Sequence, residues 1–357
     1  MTISLAEASK LSTDILLKGI IETVVKDSPI LQKLPFIQIT GNSLKYNREK
    51  SLPSAAFYAP VTGTWAASPP TFEQCSASLS VLGVDADVDN FLKATRSNVQ
   101  DLEAACIELA AKAVRHKFED TFLNGEITGD ANSFDGLWKT LKGTAWQAST
   151  AYTLGTVVVP TAGLENGFRY ECTTAGTSGA SAPTWPIVEG ATVNDNTVVW
   201  TCRLGCHLGS GANGATLSLA SLDKLIDLVR GGKPDLLLMS RRSRRKIVGL
   251  ARAAGTNLLI GEGKLGEVVE YFNGIPVAIS DWVKDNYTVG TSSDCSAIFA
   301  FQMGEGAVCG LTSPEMLQIE RLGSLETKDA SRTRIKWYVS LANFSVVKAA
   351  MLTGVRD

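Results

Sequence analysis

Apolar residues recur at three- and four-residue steps from Val99 to Phe122. Val99, Leu102, Cys106, Leu109, Ala113, Val114, Phe118 and Phe122 trace one stripe, while Asp101, Glu103, Lys112, Arg115 and Glu119 fall largely elsewhere. That spacing predicts an amphipathic helix with a single buried face. Ser97 stands where a side-chain cap belongs, with Gln100 three residues on to complete a capping box. Gly125 follows the last apolar positions, where a left-handed residue would close the helix, and Gly129, Asp130 and Asn132 keep the chain turning. The predicted helix, 97–124, is about 40 Å long.

Before it, Leu5, Leu11, Ile15, Leu16, Ile20 and Val24 predict a first amphipathic helix that Pro29 ends. The pattern then becomes extended. Tyr46, Arg48 and Lys50 lie on an outbound run, Pro53, Pro60, Pro69 and Pro70 fill the middle, and Phe72 to Val84 return in alternation. Prolines bar such segments from the centre of a sheet, so a projecting two-stranded arm is expected. An isolated hairpin is marginal in water and requires a neighbour to lie on.

From Thr144 to Cys206 the texture changes. Charges thin out, turn residues multiply, and Trp146, Tyr152, Tyr170, Trp185 and Trp200 punctuate short strands expected at 156–159, 168–173 and 197–202. This predicts a small inserted β domain, returned to its host by a glycine-rich linker, Gly205–Gly214. Alternation of helix and strand resumes with helices at 221–230 and, capped by Ser240, through Ala254. Strands are expected at 235–239, 268–272, 275–279, 297–302, 316–321 and 332–347. The mixed order indicates an α+β fold.

Composition narrows the function classes. The 357 residues are 45% hydrophobic and 20% charged with a formal net charge of −2, so the chain is an ordinary folded protein without the basic excess of a nucleic-acid-coating surface. No stretch is long and apolar enough to span a bilayer, and the N-terminus lacks a secretory pattern; no membrane partner is expected. Seven scattered cysteines do not make a disulfide framework. Only Cys202, Cys206 and His207, with Cys172 as a neighbouring strand residue, suggest zinc. They lack paired short spacings, and buried small apolar residues are the simpler reading.

Other chemistry thins on inspection. Gly209–Gly214 and Gly261–Gly266 both spell the dinucleotide fingerprint, yet neither runs from a strand straight into a helix. Asp85, Asp87 and Asp89 imitate a calcium loop, but Arg96 stands where its glutamate belongs; a solvated strand face accounts for them. Arg241, Arg242, Arg244, Arg245 and Lys246 read as a solvated helix face or as intersubunit pairs, with nucleic-acid contact as a third reading. Phosphate loops, nucleophile elbows and metalloprotease helices are missing, and the two histidines offer no general base. No catalytic residue, cofactor or metal is expected, and the protein is not read as an enzyme.

The proline-rich hairpin, the long helix and the following Phe134-Asp135-Gly136-Leu137-Trp138 resemble tailed-bacteriophage major capsid proteins of the Hong Kong 97 type. So do Phe272 to Asp281 and the run from Thr327 to Val347. The resemblance implies an N-terminal arm (1–40) and an extended arm loop (41–80). A peripheral domain (81–144 and 311–357) would be built on the spine helix, with an axial domain at 207–310. The insert, 145–206, is similar to small carbohydrate-binding modules: Trp185, Tyr152 and Tyr170 are its candidate glycan-stacking rings, against the alternative that the aromatics are simply the core of a small domain.

By that resemblance the chain is a capsid subunit forming hexamers and pentamers of an icosahedral head. The head encloses double-stranded DNA without reading its sequence, and it is assembled in the bacterial cytoplasm. Candidate intersubunit contacts are Lys45, Arg48, Lys50, Arg241 and Arg245. With only some 40 residues before the arm loop, a separate scaffolding protein is expected, together with a portal and a decoration protein. Some family members crosslink lysine to asparagine; Lys45 and Lys50 lie in the arm, but no partner motif matches here. The rival readings are an encapsulin compartment and a carbohydrate-binding adhesin.

Overall fold

The structure is a computed structural model describing residues 29–58, 63–65, 67–96, 102–255, 259–262 and 268–356. The first amphipathic helix and the Ser97–Gln100 capping box lie outside the described residues. The chain enters by one helical turn, α1 (Ile30–Lys33), and a short strand, β1 (Phe36–Gln38). The arm follows: β2 (Ser43–Ser51) and β3 (Thr71–Ser78) pair antiparallel, from Ser43 opposite Ser78 to Ser51 opposite Thr71, in a sheet of their own. The return run breaks at Leu79, whose N–H donates to the Asn42 carbonyl at 2.8 Å. There β4 (Ser80–Asp89) leaves the arm and joins the body.

Three helices come next: α2 (Asn90–Arg96), α3 (Leu102–Asn124) and α4 (Leu137–Lys142). Residues 145–216 supply β5 (Ala151–Tyr152), β6 (Val157–Val158), β7 (Asn166–Thr174), β8 (Gly176–Thr177), β9 (Thr192–Asp195), β10 (Val198–Gly209) and β11 (Ala215–Thr216). Helix α5 (Leu219–Leu228) starts at a capping box in which Ser218 and Ser221 satisfy each other's backbone N–H. Strand β12 (Leu236–Met239) leads to α6 (Arg241–Ala253), which Ser240 caps through Ser243 N–H. Then come β13 (Leu259–Glu262), β14 (Val268–Phe272), β15 (Ile275–Ile279), β16 (Tyr287–Val289) and β17 (Ser292–Phe301). The chain ends in β18 (Val308–Ser324), β19 (Ala330–Asn343) and β20 (Ala349–Arg356).

Two sheets organise the body. The smaller has the order β1-β18-β19-β4; the larger runs β13-β14-β15-β12-β17-β20-β10-β7-β6, with β11 on β20, β16 on β17 and β9 on β10. The main core lies between them and the long helix, where Phe118 and Phe122 are fully buried among Phe134, Leu137, Phe301, Trp337 and Met351. A second core under the larger sheet joins α5 and α6 to Leu237, Ile298 and Leu352.

Several expectations change in three dimensions. The inward face of α3 carries Ala105, Cys106, Ala110, Val114, Phe118 and Phe122, whereas Leu109 and Ala113 are exposed. Glu119, expected outside, is fully buried, its carboxylate accepting from Trp282 Nε1 at 3.2 Å and from Arg115 Nε at 3.2 Å. Gly125 does not take a left-handed φ. Glycine is required there by close approach: a Cβ would stand 2.3 Å from the Phe134 carbonyl oxygen and 2.5 Å from that of Thr121. Gly136 is pinned in the same way by the Thr121 carbonyl, and its N–H donates to the Gly125 carbonyl at 2.9 Å. Beyond Val347 the chain adds a strand not expected from the sequence, β20, which lies between β17 and β10 in the larger sheet.

The expected linker Gly205–Gly214 is also corrected. Strand β10 runs through the 206/207 boundary to Gly209, pairing antiparallel with β7 along its first part and parallel with β20 at His207–Gly209. The aromatic segment has its own core yet continues the larger sheet. A strand interior satisfies the backbone N–H and C=O groups that a buried linker would leave unpaired.

Candidate functional site

The arm is fastened at its base, and its described residues beyond Ser51 are largely exposed. On the body-facing side of β2, Tyr46 Oη donates to the Asn343 carbonyl at 3.0 Å and Arg48 Nε to the Phe344 carbonyl at 2.8 Å, while Arg48 Nη2 donates to the Asn343 carbonyl. Lys50 Nζ lies 3.0 Å from Glu171 Oε1. Two of the candidate intersubunit residues, Arg48 and Lys50, thus bind their own chain, because strand alternation turns even-numbered positions of β2 towards the body. Lys45 is on the opposite face and exposed. Beyond Ser51 the arm presents Leu52, Phe57, Trp65 and Phe72 to solvent, Trp65 at 81% exposure and stacked on Tyr58 with ring centroids 4.3 Å apart. Exposed apolar side chains of this size are where an interaction surface is to be sought.

The basic helix is largely neutralised within the chain. Arg241 forks onto Asp281 (Nε–Oδ1 2.7 Å, Nη2–Oδ2 3.2 Å), Arg244 forks onto Glu270, and Arg242 lies 3.5 Å from Asp285. Arg241 is therefore an intrachain partner; Arg245 is exposed on the same helix. The acids that pair with the run lie outside the helix sequence, so local reading could not find them.

The aspartate pattern on β4 resolves into a cross-strand ladder. Register places Asp87 opposite Arg332 and Asp85 opposite Arg334, with bidentate bonds of 2.6 and 2.7 Å and of 2.7 and 2.9 Å. Arg332 holds the nearly buried Asp87 carboxyl below the usual carboxylate range. Asp89 does something else: its Oδ1 accepts from Leu92 N–H at the start of α2.

The rings of the aromatic segment pack into its own core. Tyr170 is fully buried, its hydroxyl donating to the Pro186 carbonyl at 2.8 Å, and Tyr152 is 9% exposed with its edge on Trp200. Neither offers a face to a sugar, which corrects the glycan-stacking expectation for both. Trp185 is half-buried, 4.2 Å from Tyr170 between ring centroids, so it caps the same core. Asp195, which the sequence did not flag, organises the cluster by accepting from both Trp146 Nε1 (2.8 Å) and Trp200 Nε1 (3.0 Å).

The cysteines and His207 hold no metal constellation among the described residues. His207 lies in β10, its Nδ1–H donating to the Lys142 carbonyl (3.0 Å) and its Nε2 accepting from Thr353 Oγ1 (2.9 Å), 3.8 Å from Glu165 Oε1. Burial lowers its pKa to about 4 and raises that of Glu165. An unfolded histidine titrates near 6.5, so the fold loses stability as pH falls from 6.5 through 4, by about 3 kcal/mol at most. Glu165 acts in the opposite sense, losing stability as pH rises above the ordinary carboxylate range. Denaturation midpoints at pH 7 and pH 4.5 should therefore differ more for wild type than for His207→Gln; equal differences would refute this role.

No protein-family model matches the chain, and no curated protein matches it. Solved structures do. The chain superposes on the holo-SrpI encapsulin complex from Synechococcus elongatus PCC 7942 with a TM-score of 0.61 at 13% identity, covering 99% of this chain and 96% of that one. For the capsid of an empty GTA particle the values are 0.57, 14%, 99% and 98%. For a chain of Mycobacterium phage Adephagia they are 0.57, 13%, 99% and 98%. At such identities the match establishes the fold: this is a mixed α+β chain with the capsid-protein architecture of the Hong Kong 97 type. The neighbours are structural shell and capsid proteins rather than enzymes.

Proposed function

We propose that the chain is a shell-forming subunit, the coat protein of a phage-type head that assembles into hexamers and pentamers around double-stranded DNA. The observation that carries this reading is the arm tip. Among the described residues, Leu52, Phe57, Trp65 and Phe72 lie outside the buried clusters of their own chain, on a hairpin that cannot support itself in water. A second copy supplies the missing surface. In this reading residues 41–80 cross the neighbouring subunit, α3 with the smaller sheet forms the peripheral domain, the α5–α6 region forms the axial domain, and the aromatic insert decorates the outside. A scaffolding protein, a portal and a decoration protein are its proposed partners. With Arg241, Arg242 and Arg244 paired to acids of the same chain, the subunit would hold DNA by enclosure rather than by a basic track.

Particles in negative-stain micrographs of the purified protein, alone or with a scaffolding protein, are the expected result. The double variant Phe57→Ser, Trp65→Ser should stay folded but sediment as small species. Monomers under every condition for wild type would defeat the proposal. An encapsulin compartment is the second reading, since the same fold superposes on an encapsulin at a TM-score of 0.61; nuclease-protected nucleic acid inside the particles separates a viral head from a cargo compartment.

A further inference from the structure

Strand alternation sends Tyr170, Cys172, Trp200 and Cys202 into the insert's core, and it turns Arg169, Glu171 and Arg203 to the opposite face, towards the arm. That face closes a cleft of about 510 Å³ whose far wall is the arm, with Arg48 and Lys50 and also the carboxylates of Glu49 and Glu73. Arg169 and Arg203 are direct register partners across β7 and β10. Like charges placed opposite each other on one sheet face destabilise it. The neighbouring acid on that face, Glu171, has both oxygens engaged, Oε1 by Lys50 at 3.0 Å and Oε2 by Arg203 at 3.1 Å. Arg169 Nε is buried and has no acceptor among the described residues. A buried guanidinium N–H without an acceptor is costly, and the fork geometry of arginine suits the oxygens of a tetrahedral or planar oxyanion.

We infer that this cleft between arm and insert is an oxyanion site, with Arg169 as its principal ligand and Arg48, Lys50 and Arg203 supplying the surrounding positive charge. An anion held there relieves the Arg169–Arg203 repulsion and links the insert to the base of the arm. The ligand class is a small oxyanion, for which inorganic phosphate is the probe; sulfate and acetate distinguish tetrahedral from planar forms.

Calorimetric titration of the full chain with phosphate, at constant ionic strength set by chloride, should give saturable binding. Arg169→Gln should weaken it by about tenfold or more, the loss expected for a charged hydrogen bond. Arg169→Lys, which keeps the charge and loses the fork, should fall between, and circular dichroism confirms that both variants are folded. Absence of saturable binding to wild type, or equal binding by wild type and both folded variants, overturns the site.

Discussion

Replacing Asp195 by alanine should cost the fold about 3–5 kcal/mol, because it orphans several buried donors in one step. The carboxylate is 4% exposed and accepts from two indoles and, at Oδ1, from Gly179 N–H at 2.8 Å. With alanine there, Trp146 Nε1 and Trp200 Nε1 face a void inside an aromatic cluster that contains little else able to accept. The loss should register as a lower denaturation midpoint together with a change in tryptophan fluorescence. A control separates orphaned donors from lost volume. In a Trp146→Phe, Trp200→Phe background the same Asp195→Ala change should cost much less, since no indole N–H remains to be satisfied. An equal cost in both backgrounds would show that the carboxylate matters only as filler.

Phe118→Ala is expected to cost a similar amount, about 3–5 kcal/mol, by a different mechanism. Phe118 is fully buried where the long helix meets the smaller sheet, with ring centroids 4.8 Å from Trp337, 5.8 Å from Phe36 and 6.2 Å from each of Phe122 and Phe134. Apart from Phe122 on its own helix, those neighbours come from three other parts of the chain, so the ring ties them together and its removal leaves a cavity that no single element can refill. Urea denaturation checks the magnitude. Phe118→Leu, which keeps most of the volume, should recover more than half of the loss.

Much of the fold was legible because its signals are local. The three- and four-residue spacing around Phe118 and Phe122 specified the helix, the prolines between Pro53 and Pro70 specified an arm outside any central sheet, and Ser240 marked the start of the basic helix. Periodicity nonetheless assigned Leu109 and Ala113 to the core and Glu119 to solvent. The width of the buried face depends on what packs against it, and Trp282, which receives Glu119, is more than 160 residues away. The candidate sites fared less evenly for the same reason. Arg48, Lys50 and Arg241 could be recognised as cations on projecting elements, but their acceptors at Phe344, Glu171 and Asp281 are set by register and sheet order.

By itself the sequence determined what each segment could become. Spacing, capping residues and prolines act over a few residues, and they specify helix, strand or arm before any partner is present. Tertiary structure alone decided which strands adjoin, that the aromatic segment continues the larger sheet through β10, and which charges meet. Those outcomes depend on pairings between distant residues, such as Arg332 with Asp87 or His207 with Thr353, whose energies exist only once the chain has closed on itself.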